Sequence, residues 1–474
     1  SPPGPPPTIV SGLVEAPAGL VAFRRGQVFL LRFAELFAAP AHAAVSGLAP
    51  VPDATLVELG RINATGAVTR LSTTTTASGR YSFNLTSLGL DIAGDLVVRV
   101  VNSASGAQLR AFVTATTANL NPTSESAVRL VLDQLAATPG AALSDFTLQE
   151  IRDLAAGLEL LTNTVALAAG PTIENAVTAV RQLAGSHGGL MHFVAVAALP
   201  GQSAEGPGDI GNYLPLNPGN VWEYQATQAG IGQQPASFRN SVRVTGFKTV
   251  GASTASVVAE TNPDGLQQAV EEYLVRDNRG VSNHGNDDAD DLLTPQLIGY
   301  RMLRFPLQAG TSFEAVNQAG LNFGDLDGDG RSETGTVLAQ VSVAAFETIA
   351  VPAGMFVNSA RVETRITTTV TASSNGARVT VSSTQTDWLA AGIGPVKRQT
   401  RTSGDSFTET ITEELVGYFV DGQGAGAVSL TIATGLANAD SNASAPGRPG
   451  LAADGANFLV VTCRDLGPTV GLAG

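Results

Sequence analysis

Asp325-Leu326-Asp327-Gly328-Asp329-Gly330-Arg331-Ser332-Glu333 joins two stretches that both read as extended chain. Carboxylates stand first, third and fifth, a glycine sixth and a glutamate ninth, which is the front half of a calcium-binding loop. Ca2+ is a hard ion that takes about six to eight oxygens. Alternation lets a tightly turning backbone aim every second side chain at one point, and Gly330 permits the bend. Arg331, seventh in the loop, contributes its backbone carbonyl. In an EF-hand the twelfth residue is a bidentate Glu and helices flank the loop. Here the twelfth residue is Thr336, and the flanks LNFG and TGTVLAQVSV read as strand and turn. The loop is therefore set between strands, and Glu333 is left to supply the bidentate carboxylate. The other reading of the same residues is an acidic turn kept in solvent.

Moving outward, residues 213–421 form a large β region. Strands are expected at 241–245, 255–260, 270–275, 336–343, 360–371, 377–383 and 408–416. The run 361–371 is rich in Thr and Val, which suits a sheet with one wet and one dry face. The set YLPLNPGNVWEY, FPLQAGTSF, FETIAVPAGMFVNSARVETR, DWLAAGIGPVKRQT and EELVGY resembles a recurrent domain of secreted or lipoprotein-borne bacterial proteins, built of long curved antiparallel strands. The resemblance implies that fold and assigns no chemistry to particular residues.

Residues 9–120 alternate in short strands and turns, with Tyr81 and Phe83 on one face of Arg80-Tyr81-Ser82-Phe83-Asn84-Leu85. The order VSG.V, PDATLVEL, TTTTASGRYSFNL and DLVVRVV resembles the carboxypeptidase-regulatory-like, transthyretin-like sandwich, with an insertion over 20–44. That resemblance implies a structural or binding module without protease chemistry. Within the insertion a short helix is expected over 30–37. Arg32, Glu35, Pro40 and His42 interrupt the apolar run 28–48, so it is read as buried structure and not as a membrane span.

The period becomes helical over 121–198. Thr123 or Ser124 caps a first helix. Thr147-Leu148-Gln149-Glu150 is a capping box opening a second, with Ile151, Leu154, Leu158 and Leu161 on one stripe. Pro171-Thr172 opens a third, with Ile173, Val177, Val180 and Leu183 on one face. Residues 199–212 are rich in Pro and Gly and read as a linker. Residues 1–8 read as a Pro-rich tether in polyproline conformation. Residues 422–474 read as a Gly/Ala-rich tail carrying a lone β-hairpin around Asp454-Gly455.

Composition bounds the function. The formal net charge of −14 leaves no basic stripe for nucleic acid or for an anionic membrane surface. The one cysteine, Cys463, excludes a disulfide within the chain and reads as a packed thiol. The second acidic cluster, Asp287, Asp288, Asp290 and Asp291, lacks fixed ligand spacing; it is either a second site for Ca2+ or a solvated loop. His42, His187, His192 and His284 have no partner at metal-ligand spacing and read as loop or packing residues. Gly206-Pro207-Gly208-Asp209-Ile210-Gly211 spells GxGxxG but opens no helix to hold a pyrophosphate. Trp222, Tyr224 and Trp388 either anchor the core or line a ligand groove.

The fold expected is therefore mainly β and multidomain: an immunoglobulin- or transthyretin-like sandwich, a short α-helical segment and a large curved antiparallel domain. The function expected is non-enzymatic and structural, in a bacterial extracellular or cell-surface protein stabilised by Ca2+. It would self-associate into a filament or matrix through the N-terminal extension and the C-terminal hairpin. The alternative is a binding module whose curved sheet holds a lipid, glycan or other hydrophobic ligand in a deep apolar concavity.

Overall fold

The structure is a computed structural model. It describes residues 7–17, 45–101, 106–165, 167–204, 206–230, 235–263, 269–288, 291–326, 328–404, 407–426, 428, 450–453, 458–461, 463–464 and 471–472. The tether through residue 6, the short helix expected over 30–37, His42, Asp290 and Asp327 lie outside the described residues. Contacts divide the chain into Ser1–Val428 and Ser429–Gly474.

The first strands are β1 (Ile9–Leu13), β2 (Glu15–Pro17), β3 (Val45–Ser46), β4 (Leu48–Pro50), β5 (Leu56–Ile62), β6 (Val68–Thr75), β7 (Arg80–Asn84), β8 (Leu96–Val101) and β9 (Gln108–Phe112). A four-stranded sheet runs β6-β5-β8-β9, and β1 pairs antiparallel with β7. Strands β5, β8 and β9 bury residues on both faces of this sheet, and β6 is its exposed edge. Val57, Leu59, Leu96, Val98, Leu109 and Ala111 share a core with Val10, Tyr81 and Phe83 from the β1–β7 pair. Ile62, Val97 and Phe112 look the other way, into a second core shared with the helices. The helices thus find the partner surface that their apolar stripes require.

Four helices follow: α1 (Pro122–Ala137), α2 (Leu148–Thr164), α3 (Ile173–Ser186) and α4 (Gly188–Ala197), with a two-residue β10 (Leu167–Ala168) between α2 and α3. Asn121, not Thr123 or Ser124, caps α1, and its side chain accepts from the Ser124 N–H at 2.9 Å. Thr147 and Glu150 close the capping box of α2 as expected. Ile151, Leu154 and Leu158 on the α2 stripe are buried; each such burial contributes about 1.5–3 kcal/mol. Charged groups tie the helices to the sheet. Glu125 on α1 is fully buried and accepts from Arg110 of β9 at 2.7 Å and from Arg129 at 2.7 Å. Arg129 continues to Glu174 of α3.

The expectation of a linker at 199–212 needs correction. Ile210 is fully buried, and a Cβ added to Gly157 on α2 would meet its Cδ1 at 2.7 Å. Asp209 holds the segment by accepting from the Tyr213 and Leu214 N–H groups at 2.9 and 3.0 Å. The stretch is a packed connector, because its few apolar residues fall where helix and barrel meet.

The remaining strands of this unit are β11 (Val221–Gly230), β12 (Ala236–Val250), β13 (Ser253–Glu260), β14 (Val270–Asp277), β15 (Gly280–Asn286), β16 (Tyr300–Arg304), β17 (Thr311–Asn322), β18 (Thr334–Val351), β19 (Gly354–Thr371), β20 (Arg378–Ala390), β21 (Gly394–Ser403), β22 (Thr408–Val420) and β23 (Gln423–Gly426). Strands β11–β16 form one antiparallel meander and β17–β22 another. The two are joined where β11 pairs with β22, Val221 opposite Phe419. The sheet order is β16-β15-β14-β13-β12-β11-β22-β21-β20-β19-β18-β17, with β23 added beside β22. The two edges, β16 and β17, come alongside without a hydrogen-bonded ladder. Arg304 lies over the Phe313 ring across that seam, 4.2 Å from its centroid. The result is a large, nearly closed antiparallel barrel, and the described residues are mainly β, with the four helices between the two β regions.

In the second unit, β24 (Gly450–Ala453) pairs with β25 (Phe458–Val461), and β26 (Cys463–Arg464) pairs with β27 (Gly471–Leu472). Among the described residues no helix is long and apolar enough to cross a membrane.

Candidate functional site

A small barrel is filled by its own side chains, whereas one with more strands leaves room inside. Here the interior holds a cavity of about 320 Å³ that is partly open to solvent. Period-two alternation sets its wall. Val337, Ala339 and Val341 of β18, Val362, Thr364 and Ile366 of β19, and Gln385, Asp387 and Leu389 of β20 all line it. Leu214 and Leu216 of the packed connector contribute as well. So do Leu293, Thr294 and Leu297, from the segment between β15 and β16.

Charge interrupts this apolar wall at positions where alternation calls for Val or Leu. Arg398 of β21 donates from Nε to Asp387 at 2.9 Å, and its Nη1 lies 3.4 Å from Glu260 of β13 and 3.6 Å from Glu413 of β22. The Asn240 amide donates to Glu413 at 2.8 Å and to Glu260 at 3.2 Å, and Gln385 donates to Asp387 at 2.7 Å. Burial opposes the Arg398 charge, but Asp387, Glu260 and Glu413 outweigh it and hold its pKa well above the ordinary guanidinium value. Burial raises the pKa of Glu413 in spite of Arg398 and Asn240. Glu272 of β14 also lines the cavity. Among the described residues its carboxylate has no hydrogen-bond partner. Burial first, then the charges of Glu260 and Asp291, push its pKa up to about 7 against the pull of Arg398.

The acidic loop leaves the barrel between β17 and β18. Asp325, Asp329 and Glu333 each offer an oxygen, and these lie within 4.8 Å of one another. Asp325 shapes the turn by accepting from the N–H groups of Gly328 at 2.7 Å, Asp329 at 3.1 Å and Gly330 at 2.9 Å. Gly330 sits at φ +85°, the left-handed conformation that its place in the loop demands. Arg331 is exposed, and its N–H donates to Asp329 at 2.9 Å. Glu333 is buried. Its carboxylate accepts from the Leu326 N–H and, at 3.0 Å, from the Ser373 hydroxyl in the β19–β20 turn. No Lys or Arg pairs with Asp325 or Glu333 among the described residues. Three convergent carboxylates, one of them fixed from behind, fit a hard cation.

The second acidic cluster is used differently. Asp291 caps the turn at Thr294, accepting from the Leu293 and Thr294 N–H groups at 2.9 and 3.0 Å, and also takes the Asn286 amide at 2.6 Å. Asp287 accepts from the Glu271 N–H at 2.7 Å and Asp288 is exposed. These residues are spread along a turn and, among the described residues, do not converge as a cation cluster.

Other sequence candidates take structural roles. His187 is not a loop residue: it caps α4, its Nδ1 accepting from the Leu190 N–H at 3.1 Å. His192 lies on α4 and His284 on β15. The GxGxxG stretch leads into β11 through the packed connector. Trp222 donates to the Ile393 carbonyl at 2.6 Å, Tyr224 to that of Pro395 at 2.7 Å and Trp388 to Glu347 at 2.6 Å, so all three are anchored. Trp222 and Tyr224 also face the cavity. The residues that sequence reasoning missed are the cavity-lining charges Glu260, Glu272, Arg301, Asp387 and Arg398, with Glu413 joined to them through Arg398. Their signal was a charge in phase with apolar residues two positions away, as in Val258/Glu260 and Glu272/Leu274.

No family model matches the chain, and no curated protein matches it. Two solved structures are similar to part of it. One is a protein provisionally described as exported, with a YmcC-like fold, from Bacteroides fragilis: 14% identity, 43% of this chain, 96% of that chain, TM-score 0.22. The other is provisionally described as a lipoprotein from Parabacteroides distasonis: 14% identity, 43% of this chain, 97% of that chain, TM-score 0.22.

Proposed function

We propose that this chain is a non-enzymatic binding protein whose barrel holds a small molecule with an apolar body, and that Ca2+ on the 325–333 loop staples the barrel rim. The observation that carries the reading is the cavity of about 320 Å³ with a Val-, Leu- and Ile-rich wall, a size at the lower end of the usual range for small-ligand sites. Of the two readings drawn from the sequence, this cavity favours the binding module over the filament subunit. An exposed calcium loop lacking the twelfth-position Glu suits the weak end of the affinity range, about 10⁻⁴–10⁻³ M, which is filled outside cells. That supports a secreted or cell-surface location.

The test is displacement of a neutral apolar fluorophore, N-phenyl-1-naphthylamine, by decanol. Wild-type protein is expected to enhance the fluorescence and to release the dye to decanol. Ala339→Phe, which grows into the cavity, is expected to lose dye binding while keeping its melting temperature within a few degrees. Equal dye binding by both proteins rejects the barrel as the site. Consumption of the bound molecule rejects the non-enzymatic part.

A further inference from the structure

The lumen carries an excess of negative charge inside an apolar wall. Arg301, also on the wall, is held by Asp277 at 2.8 Å; Glu260, Glu272 and Asp387 line the cavity and, with Glu413 beside them, gather around the guanidinium of Arg398. Three of the four carboxylates are bound to that guanidinium or to the Asn240 and Gln385 amides. Glu272 is the exception. It is half-buried, lines the cavity two residues from Leu274, and has no hydrogen-bond donor among the described residues. The alternation of β14 aims it inward. Its neighbour Tyr273 belongs to a different cluster, with Ala255 and Val257, where Lys248 covers its ring at 3.9 Å. A carboxylate drawn partly out of water without a donor is costly unless a cation or a proton joins it.

We infer that the barrel's ligand is an organic cation, an amine-headed molecule with an apolar body, whose ammonium sits on Glu272 and whose body lies along Val337, Val341, Val362 and Ile366. This rests on the binding reading above and specifies its ligand class. The geometry suits the assignment. Glu272 is the unengaged acceptor, an ammonium is a compact donor of up to three hydrogen bonds, and nearby Glu260 adds attraction. An anionic head at Glu272 would be repelled by that carboxylate and by Glu260, and the guanidinium groups on the wall, Arg398 and Arg301, are already held by carboxylates. The alternative occupant of Glu272 is a proton alone.

The experiment titrates intact protein, at about pH 8, with three molecules of equal chain length: decylammonium, decanol and decanoate. Decylammonium is expected to bind at least about tenfold more tightly than decanol, with decanoate weakest. In Glu272→Gln the amine is expected to lose that preference, while decanol affinity is unchanged. Decanol binding without an amine preference, or a preference that survives in Glu272→Gln, overturns the charge assignment and leaves the binding reading standing. Binding of none of the three overturns both.

Discussion

Gln296 and Asn322 hold each other twice. The Gln296 Nε2 donates to the Asn322 carbonyl at 2.8 Å, and the Asn322 N–H donates to the Gln296 Oε1 at 2.9 Å. Gln296 belongs to the segment whose Leu293 and Leu297 cover the cavity, and Asn322 ends β17 just before the acidic loop. The pair therefore ties the cover to the opposite side of the seam. Both bonds are exposed, and such bonds contribute about 0.5–1.5 kcal/mol each. Gln296→Ala is expected to speed amide exchange several-fold over 292–300 and to raise the ligand off-rate, with little change in global stability. Unchanged exchange over that segment would show that the pair does not hold the cover.

The calcium staple predicts a loss of stability on chelation. A cation that binds the native state at about 100 times its Kd contributes about 2.7 kcal/mol. Adding chelator to protein shown to be calcium-loaded is expected to lower Tm by several degrees. Glu333→Gln is expected to abolish that shift, because it removes charge from the one buried ligand. An identical Tm with and without chelator counts against the site.

Glu272 gives a pH dependence with a definite sign. Its carboxyl titrates near 7 in the folded protein, against an ordinary value of 4.5. The folded state therefore holds the proton more tightly, and stability from this group is complete below about pH 4.5 and is lost as pH rises through 7. The full cost, reached well above pH 7, is on the order of 3–4 kcal/mol at most. Glu272→Gln is expected to match wild type near pH 4.5 and to exceed its stability at pH 8, as read by denaturant midpoints across that range. A difference that does not grow with pH would place the carboxyl in an ordinary environment.

The buried ion network between β9 and α1 should be intolerant of one-sided change. Arg110 is 5% exposed and Glu125 is 0% exposed. Glu125→Ala leaves the guanidinium buried without its counter-ion, and a loss of about 3–5 kcal/mol is expected. The paired replacement Arg110→Met with Glu125→Leu is expected to recover most of it. Denaturant unfolding of the two variants distinguishes charge from simple packing.

Local features were legible in the sequence and convergent ones were not. The Thr147/Glu150 capping box is read directly, because both partners lie within one helical turn. The β character of the barrel follows from alternation, and the acidic loop follows from its spacing. α4 escaped because Gly188 and Gly189 look like helix breakers, while its cap is a histidine ring. Ser373 stands forty residues from the Glu333 it orients, so no window shows the contact. The lumen network draws on β12, β13, β20, β21 and β22 and exists only once these strands curve around a common axis. Each of its charges, viewed alone, resembles an ordinary surface residue.

The pairing of Val221 with Phe419 carries a consequence for biogenesis. A chain made from its N-terminus has released β11 long before β22 exists, so the first barrel strand waits with one edge bare. The compartment that would hold a guest forms only when the last long strand docks, and such distant pairing is slow. Loss of residues 408–420 would therefore remove the enclosure itself, leaving two open meanders with exposed edges prone to pairing with other chains.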